Sequence, residues 1–220
     1  MQEIILQDLK EQDLKEAAKA HCQVFKEEFL SLAGPLFMRQ YYKAWIKSPY
    51  QISFIAKDKS GKLLGVLLAN YNPAGHYFVV VRRNIVRLGF FLCASFIVHP
   101  RFAKEVLLHR FWYYLTGVLR RLKNRPSKKG LGCDANEGRS IAELTHLFVV
   151  PEARGQSVGK SLVSKLEERL KSLNCNRLEL VTPFDADAVK FYEALNFVNQ
   201  GKIISRAGET FLKFTKNFKT

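Results

Sequence analysis

At 220 residues the chain is long enough to bury a core without staples, as one domain or one domain carrying an insertion. Hydrophobic residues at 47% and charged residues at 25% exclude a disordered or fibrous chain and fit a globular one. The net charge of +15 says little about fold, but it favours polyanionic partners: a nucleotide cofactor, a nucleotide-activated substrate, an anionic membrane surface or nucleic acid. Cys22, Cys93, Cys133 and Cys175 lie far apart, with no C-x-x-C pair and no clustered histidines. This argues against a zinc site or a disulfide framework, so no metal is expected and a reducing, cytoplasmic setting is. Residues 1–8 lack the basic and apolar regions of a secretory signal. The longest apolar run, 88–98, is about half of the ~20 residues needed to span a bilayer.

In chain order, residues 3–6 predict a short strand. Residues 8–30 predict an amphipathic helix with Leu14, Ala17, Ala18, His21, Cys22 and Phe25 on its apolar side. A second helix is expected over 35–47, with Pro35 in the first turn and Phe37, Tyr41 and Trp45 at four-residue spacing. Aromatics so spaced belong to a core, although Tyr41, Tyr42 or Trp45 could instead line a substrate mouth. Strands at 51–56 and 62–71 flank a turn containing Gly61 and predict a hairpin. Pro73, Ala74 and Gly75 then break the pattern. Two apolar segments, 77–98 and 102–122, read as helices, and 123–140 as a mobile loop. Between Arg82 and Lys129 stand twelve basic residues against the single acid Glu105, net +11 of the whole charge. This basic, aromatic insertion, about 74–140, either packs on the sheet or serves as a substrate lid or a membrane-surface contact.

Residues 141–150 form an apolar run of strand length, ended by Pro151, which cannot donate to a ladder. Val158, Leu162, Leu166 and Leu170 then recur every four residues with charged residues between them, marking an amphipathic helix. The turn between, Pro151 to Lys160, thus feeds a helix N-terminus, where unpartnered amides and the positive end of the macrodipole suit a phosphate or pyrophosphate. Gly155 and Gly159 would let the backbone approach such a ligand, and Arg154 and Lys160 add charge. The same turn also reads as a well-capped surface turn with Ser157 as its N-cap. Beyond it come a strand at 177–181, a short helix at 187–195, and strands at 197–204 and 209–216.

The segment from Arg154 to Gly159 resembles motif A of the GCN5-related N-acetyltransferase (GNAT) family, Q/R-x-x-G-x-G/A, with Ser157 where glycine is usual. If that position needs a positive backbone torsion, serine costs roughly 1 kcal/mol there. Residues 181–197 are similar to the family's motif B, N-x-x-A-x-x-F-Y-x-x-L-G-F. Ala188, Phe191, Tyr192, Leu195 and Phe197 match, while Asp185 replaces asparagine and Asn196 replaces glycine. The two motifs arrive in order with a strand between, and together they cover 143–197. The resemblance implies a single α/β domain: a mixed, mostly antiparallel sheet of about seven strands flanked by helices, with a helical insertion. The implied activity is acetyl-CoA-dependent N-acetylation of a primary amine on a small molecule, an amino sugar or its nucleotide-linked form suiting the insertion.

The resemblance also implies site residues. Backbone amides of Arg154, Gly155, Gln156, Ser157, Val158, Gly159 and Lys160 would bind the pyrophosphate of acetyl-CoA. The backbone of Leu147, Phe148 and Val149, splayed from the next strand, would pair with the pantetheine arm, and Asp185 joins the cofactor-binding set. Amine attack on a thioester needs a base, charge stabilisation at the carbonyl oxygen and a proton for the departing thiolate. Period two along 143–150 places Glu143, Thr145, Leu147 and Val149 on one face and Leu144, His146, Phe148 and Val150 on the other. Glu143 matches the family position of the base, with an exposed strand-end carboxylate as its plain alternative; His146, opposite, reads as a packing residue. Tyr192 matches the tyrosine that protonates the thiolate, with a buried helix tyrosine as its alternative. A chain that has kept the acyl-CoA site, lost turnover and docks on a membrane or other polyanion is the competing expectation. Nucleic-acid binding follows from charge alone, with no motif to support it.

Overall fold

The computed structural model describes residues 3–98, 103–104, 141–204 and 208–218. The expected helix at 102–122 and loop at 123–140 lie outside the described residues, apart from two helical positions at 103 and 104. The chain opens with strand β1 (Ile5–Asp8), followed by helices α1 (Leu14–Val24), α2 (Phe29–Leu32) and α3 (Gly34–Ile46). A hairpin of β2 (Gln51–Lys57) and β3 (Leu63–Asn70) leads to the long helix α4 (Pro73–Val98). After the insertion come β4 (Ile141–Val149), α5 (Val158–Ser172), β5 (Arg177–Pro183), α6 (Ala186–Ala194), β6 (Val198–Ile204) and β7 (Thr210–Asn217).

The seven strands form one sheet in the order β1-β2-β3-β4-β5-β7-β6. Every pairing is antiparallel except β4 with β5, which are parallel. A parallel pair needs a crossover, and α5 supplies it. Val158, Leu162, Leu166 and Leu170 are at most 1% exposed and pack with Phe54, Leu67, Leu144, Leu178 and Phe214 on one face of the sheet. Each such burial is worth roughly 2 kcal/mol. The other face is covered by α1 and α3, whose Leu14, Ala18, Phe37, Met38, Tyr42 and Trp45 pack on Ile55, Val66, Leu68 and Phe148.

Three expectations are corrected here. The single helix expected over 8–30 is broken: α1 ends at Val24, Phe25 leaves the helical region at φ −107°, ψ 58°, and Glu28 is extended at ψ 136° before α2 begins. The break turns Glu28 back towards α1. The proline expected to break the chain after β3 instead starts α4: Gly75 N–H donates to Asn72 Oδ1 at 2.9 Å, so Asn72-Pro73 is an N-cap and first-turn pair. The cysteines are also not all reduced: Cys175, buried just before β5, is disulfide-bonded. Among the described residues no helix is long and apolar enough to cross a membrane.

His76, in the first turn of α4, is fully buried with its ring 4.0 Å from that of Trp45, and neither ring nitrogen has a hydrogen-bond partner. Burial pulls its pKa from the usual 6.5 down to about 4. The unfolded chain protonates this histidine at a pH where the folded one stays neutral, so its contribution is complete above pH ~6.5 and is lost as pH falls towards 4. Urea unfolding between pH 7 and 4 is expected to show stability falling by up to roughly 3 kcal/mol through this group. His76→Phe should remove that share of the slope; an unchanged slope would contradict it.

Candidate active site

The site begins with an irregularity in β4. Leu68 pairs with His146 while its neighbour Ala69 pairs with Leu144, so Thr145 is an extra residue on β4, a β-bulge. The extra residue resets the alternation of side chains. Ala142, Leu144, Leu147 and Val149 therefore face α5, whereas Glu143, His146 and Phe148 face α1 and α3. This corrects the period-two expectation, which put Glu143 with Leu147 and set His146 opposite. Glu143 and His146 share a face, with the bulge between them. Glu143 Oε2 accepts from Asn70 Nδ2 at 3.3 Å, and its charge is felt by the partly buried Tyr41 phenol. The Tyr41 ring lies 6.0 Å from that of His146.

The bulge also ends the contact between β4 and β5. Their parallel register covers only Ile141–Leu144 against Arg177–Leu180, while β3 stays paired with β4 out to Val149. From Thr145 onward the β5-facing backbone edge of β4, running through Leu147, Phe148 and Val149, has no strand partner among the described residues and can hydrogen-bond an extended ligand. β5 itself continues on β7 through Pro183. Two neighbouring strands thus part at the bulge and leave a wedge.

Beyond Val149 the chain makes a short 3-10 turn, Pro151–Ala153, in which Ala153 and Arg154 N–H groups bond back to Val150 and Pro151. Gly155 then takes φ +75° and Ser157 φ +63° before α5 starts at Val158. These two left-handed residues fold the backbone into a concavity. Among the described residues, none of the backbone N–H groups from Gly155 to Lys160 donates to a protein acceptor. Ser157 occupies the N-cap position, but its side chain makes no capping bond, so the reading of a self-capped turn is not what the structure shows. An uncapped helix start with several converging amides is an anion cradle. Alongside it runs a groove of about 520 Å³ lined by Leu6, Ser157, Lys160, Ser161, Ser164, Lys165 and Glu168.

The two motif glycines have different tasks. A side chain on Gly155 would meet open space, so glycine serves the torsion there. A Cβ on Gly159 would lie 3.2 Å from the Phe191 ring and 3.6 Å from Val149, so this glycine lets α6 close on α5, not a ligand on the backbone. That contact sets the place of Tyr192. Its ring is 9% exposed and lies 5.1, 5.5 and 5.7 Å from Phe191, Phe197 and Phe214, and burial raises its phenol pKa well above the usual 10. Asp185 caps α6, its Oδ1 accepting from Asp187 N–H at 2.9 Å, and so holds the start of the helix that carries Tyr192.

On the α1 and α3 side of β4 the fold assembles a cluster not evident in linear spacing. His21, 0% exposed, lies with Nδ1 2.9 Å from Tyr42 Oη and Nε2 3.2 Å from Glu28 Oε2, and His146 Nδ1 stands 3.8 Å from Glu28 Oε1. His21 falls at core spacing in α1, so periodicity marks it as a packing residue. Only the break after Val24 brings Glu28 to it. Burial pulls the pKa of His146 down to about 4, against the opposing pull of Glu28. Glu28, facing two imidazoles, is held below the usual carboxylate range even though its own burial acts the other way.

A mixed seven-stranded sheet, wedged open beside a parallel pair and followed by an uncapped turn and helix, is the fold of the acyl-CoA N-acyltransferases. Within that class, residues 122–197 match the acetyltransferase (GNAT) family, which accounts for this stretch of the chain and agrees with the fold around it. An uncharacterized N-acetyltransferase of Methanocaldococcus jannaschii is 34% identical over 73 residues, covering 30% of this chain and 32% of that protein, so the chain spans about a third of that relative. The phosphinothricin acetyltransferase of Sinorhizobium meliloti, solved in complex with acetyl-CoA, aligns over 97% of this chain and 88% of its own at a TM-score of 0.58 and 14% identity. Mutant forms of the spermidine/spermine N-acetyltransferase of Vibrio cholerae align over 98% and 95% at 0.53 and 14%. At such identities these structures show the fold alone.

Serine in the left-handed region is strained by roughly 1 kcal/mol relative to glycine, and here no cap bond offsets it. Ser157→Gly is therefore expected to raise stability in urea by about that amount, and Ser157→Ala to leave it within about 0.5 kcal/mol. A loss above 1 kcal/mol in the alanine variant would show that the hydroxyl caps the helix after all.

Proposed function

We propose that the chain is an acetyl-CoA-dependent N-acetyltransferase that acylates a primary amine on a small molecule. The observation that carries this reading is a pair of backbone stretches without protein partners among the described residues, the β5-facing edge of β4 from Thr145 to Val149 and the amides of Gly155 to Lys160, joined by the bonded turn Pro151–Ala153. Such a pair suits a ligand with a diphosphate at one end and an amide-bearing arm at the other, as acetyl-CoA has. The amides of Gly155 to Lys160 hold the diphosphate, with Arg154 and Lys160 adding charge. The backbone of Leu147, Phe148 and Val149 pairs with the arm, which lays the thioester along the wedge.

In the reaction the amine forms a C–N bond to the thioester carbon, the C–S bond breaks, and the amine proton leaves. Glu143, beside the bulge and oriented by Asn70, accepts that proton, directly or through water. Tyr192 approaches from α6 and donates a hydrogen bond to the departing sulfur. Its raised pKa makes it a donor that stays protonated at any working pH, so it stabilises the thiolate, of pKa near 8.5, more than it ionises. Asp185 acts through the placement of α6. The acceptor we favour is an amino sugar or its nucleotide-linked form, on the strength of the basic and aromatic insertion.

A specific observation also favours a second reading, an acyl-CoA-binding chain without turnover that docks on an anionic surface. On α4, Val86, Phe90 and Ile97 are 83%, 69% and 86% exposed on one side, with Arg82 and Arg83 exposed nearby. Release of free thiol from acetyl-CoA that depends on an added amine separates the two: the enzyme gives it, the docking module does not.

Tyr192→Phe is expected to lower kcat by about 10- to 100-fold with the coenzyme A dissociation constant unchanged, and Glu143→Gln to lower kcat/KM by about 100-fold or more. Gly159→Glu, forcing a charged side chain between α5 and Phe191, should abolish coenzyme A binding measured by calorimetry. Full turnover in Tyr192→Phe would remove its assigned role.

A further inference from the structure

The cluster of His21, Glu28 and His146 has no part in the reaction above and is built from three separate elements: the last turn of α1, the turn between α1 and α2, and β4 directly after its bulge. One donor atom from each lies within 4.8 Å of the others, with Glu28 oxygens 3.2 Å and 3.8 Å from the two imidazoles. Nitrogen and oxygen ligands bonded at about 2.0–2.1 Å around a tetrahedral ion sit roughly 3.3 Å apart, so the two carboxylate–imidazole spacings already suit an ion, and the two imidazole nitrogens, within 4.8 Å of each other, would draw together on binding. The rings of His21 and His146 stand edge to face, centroids 5.0 Å apart, so they converge on Glu28 without stacking on each other.

Two details favour an ion over a self-contained hydrogen-bond network. His146, 9% exposed, has its Nδ1 too far from Glu28 for a hydrogen bond and its Nε2 without a partner. A buried imidazole whose Nε2 has no partner and whose Nδ1 makes no hydrogen bond among the described residues is under-satisfied, and its Nδ1 is open to an ion. His21, in contrast, already has the support that ligating histidines have: its Nδ1 faces the buried Tyr42 hydroxyl at 2.9 Å, which fixes the ring and directs Nε2 towards Glu28. With the proton on Nδ1 donated to the tyrosine oxygen, the Nε2 lone pair is free.

We propose that His21 Nε2, His146 Nδ1 and a Glu28 carboxylate oxygen bind one divalent first-row transition ion, zinc being the probe of choice. Two imidazoles and one carboxylate suit zinc and its neighbours and disfavour magnesium and calcium, which take oxygen ligands. Glu28 is 34% exposed, so an ion can enter from the surface on its side and a water can fill the fourth position. The ion would pin the turn between α1 and α2 onto β4 where the wedge opens, and thus hold the wall on the Glu143 side of the site. The sequence offered no sign of this, since the two histidines lie far apart and form no short ligand-spaced motif.

The test uses the full chain, free of any affinity tag and stripped with a chelator, titrated with Zn²⁺, Co²⁺ or Mg²⁺. The wild type is expected to bind one equivalent of Zn²⁺ by calorimetry, to develop ligand-field absorption bands with Co²⁺, to melt higher with Zn²⁺ and to ignore Mg²⁺. Glu28→Gln, a partly exposed and isosteric change, and His146→Ala should each weaken zinc binding by more than about tenfold; Tyr42→Phe should weaken it by about 10- to 100-fold, as loss of a supporting hydrogen bond does. Absence of zinc uptake by the folded wild type, or equal uptake by wild type and Glu28→Gln, overturns the proposal. The readouts are metal binding and melting, so acetyl transfer can fail while this site stands, or the reverse.

Discussion

One residue too many in β4 governs the rest of the molecule's chemistry. Because Thr145 has no counterpart on β3, the strand bends there, keeps its partner on one side and loses it on the other. A sheet interior normally leaves no backbone polar group unpaired. Here the sheet opens at the one parallel step among its described strands, and the short bonded turn Pro151–Ala153 carries the open edge to Gly155 to Lys160, whose amides lack protein partners among the described residues. The cost of those unmet groups is borne by the two apolar layers, α5 and α6 on one face and α1 and α3 on the other, which hold the wedge in shape.

The turn after β4 works by the same logic of withheld partners. Ser157 could have capped α5 and does not; Gly155 and Ser157 instead take left-handed torsions that aim successive N–H groups into one concavity. Gly159, one turn further, has nothing to do with torsion. It removes a side chain where Phe191 of α6 must approach, and so couples the phosphate end of the site to the helix that carries Tyr192. A short motif thus sets both the cradle and the distance between two helices.

Much of this was legible in the sequence because it is local. The four-residue rhythm of Val158, Leu162, Leu166 and Leu170, the proline that ends β4 and the order of the two motifs depend on neighbours along the chain, and the fold agrees with them. The sheet and its helices likewise follow the expected class. Two things were not legible. A bulge has no mark in an apolar run, yet it inverts every face assignment on one side of it, which is why Glu143 and His146 were expected apart and lie together. The break after Val24 also lacks proline or glycine, and without it Glu28 could not meet His21 and His146. Asn72-Pro73 carries two local signals, a helix start and a break, and only the packing of α4 decides between them.

The account's central claim is that the free edge of β4 and the uncapped amides of the following turn form one site for acyl-CoA. Backbone amide hydrogen exchange, measured with and without coenzyme A, tests it most directly. The amides of the β4 segment 145–149 and of the turn 155–160 should slow together on adding the ligand, while those of β6 at the far edge of the sheet keep their rates. Uniform rates at 155–160 in the presence of saturating coenzyme A, or protection confined to some other part of the chain, would contradict it.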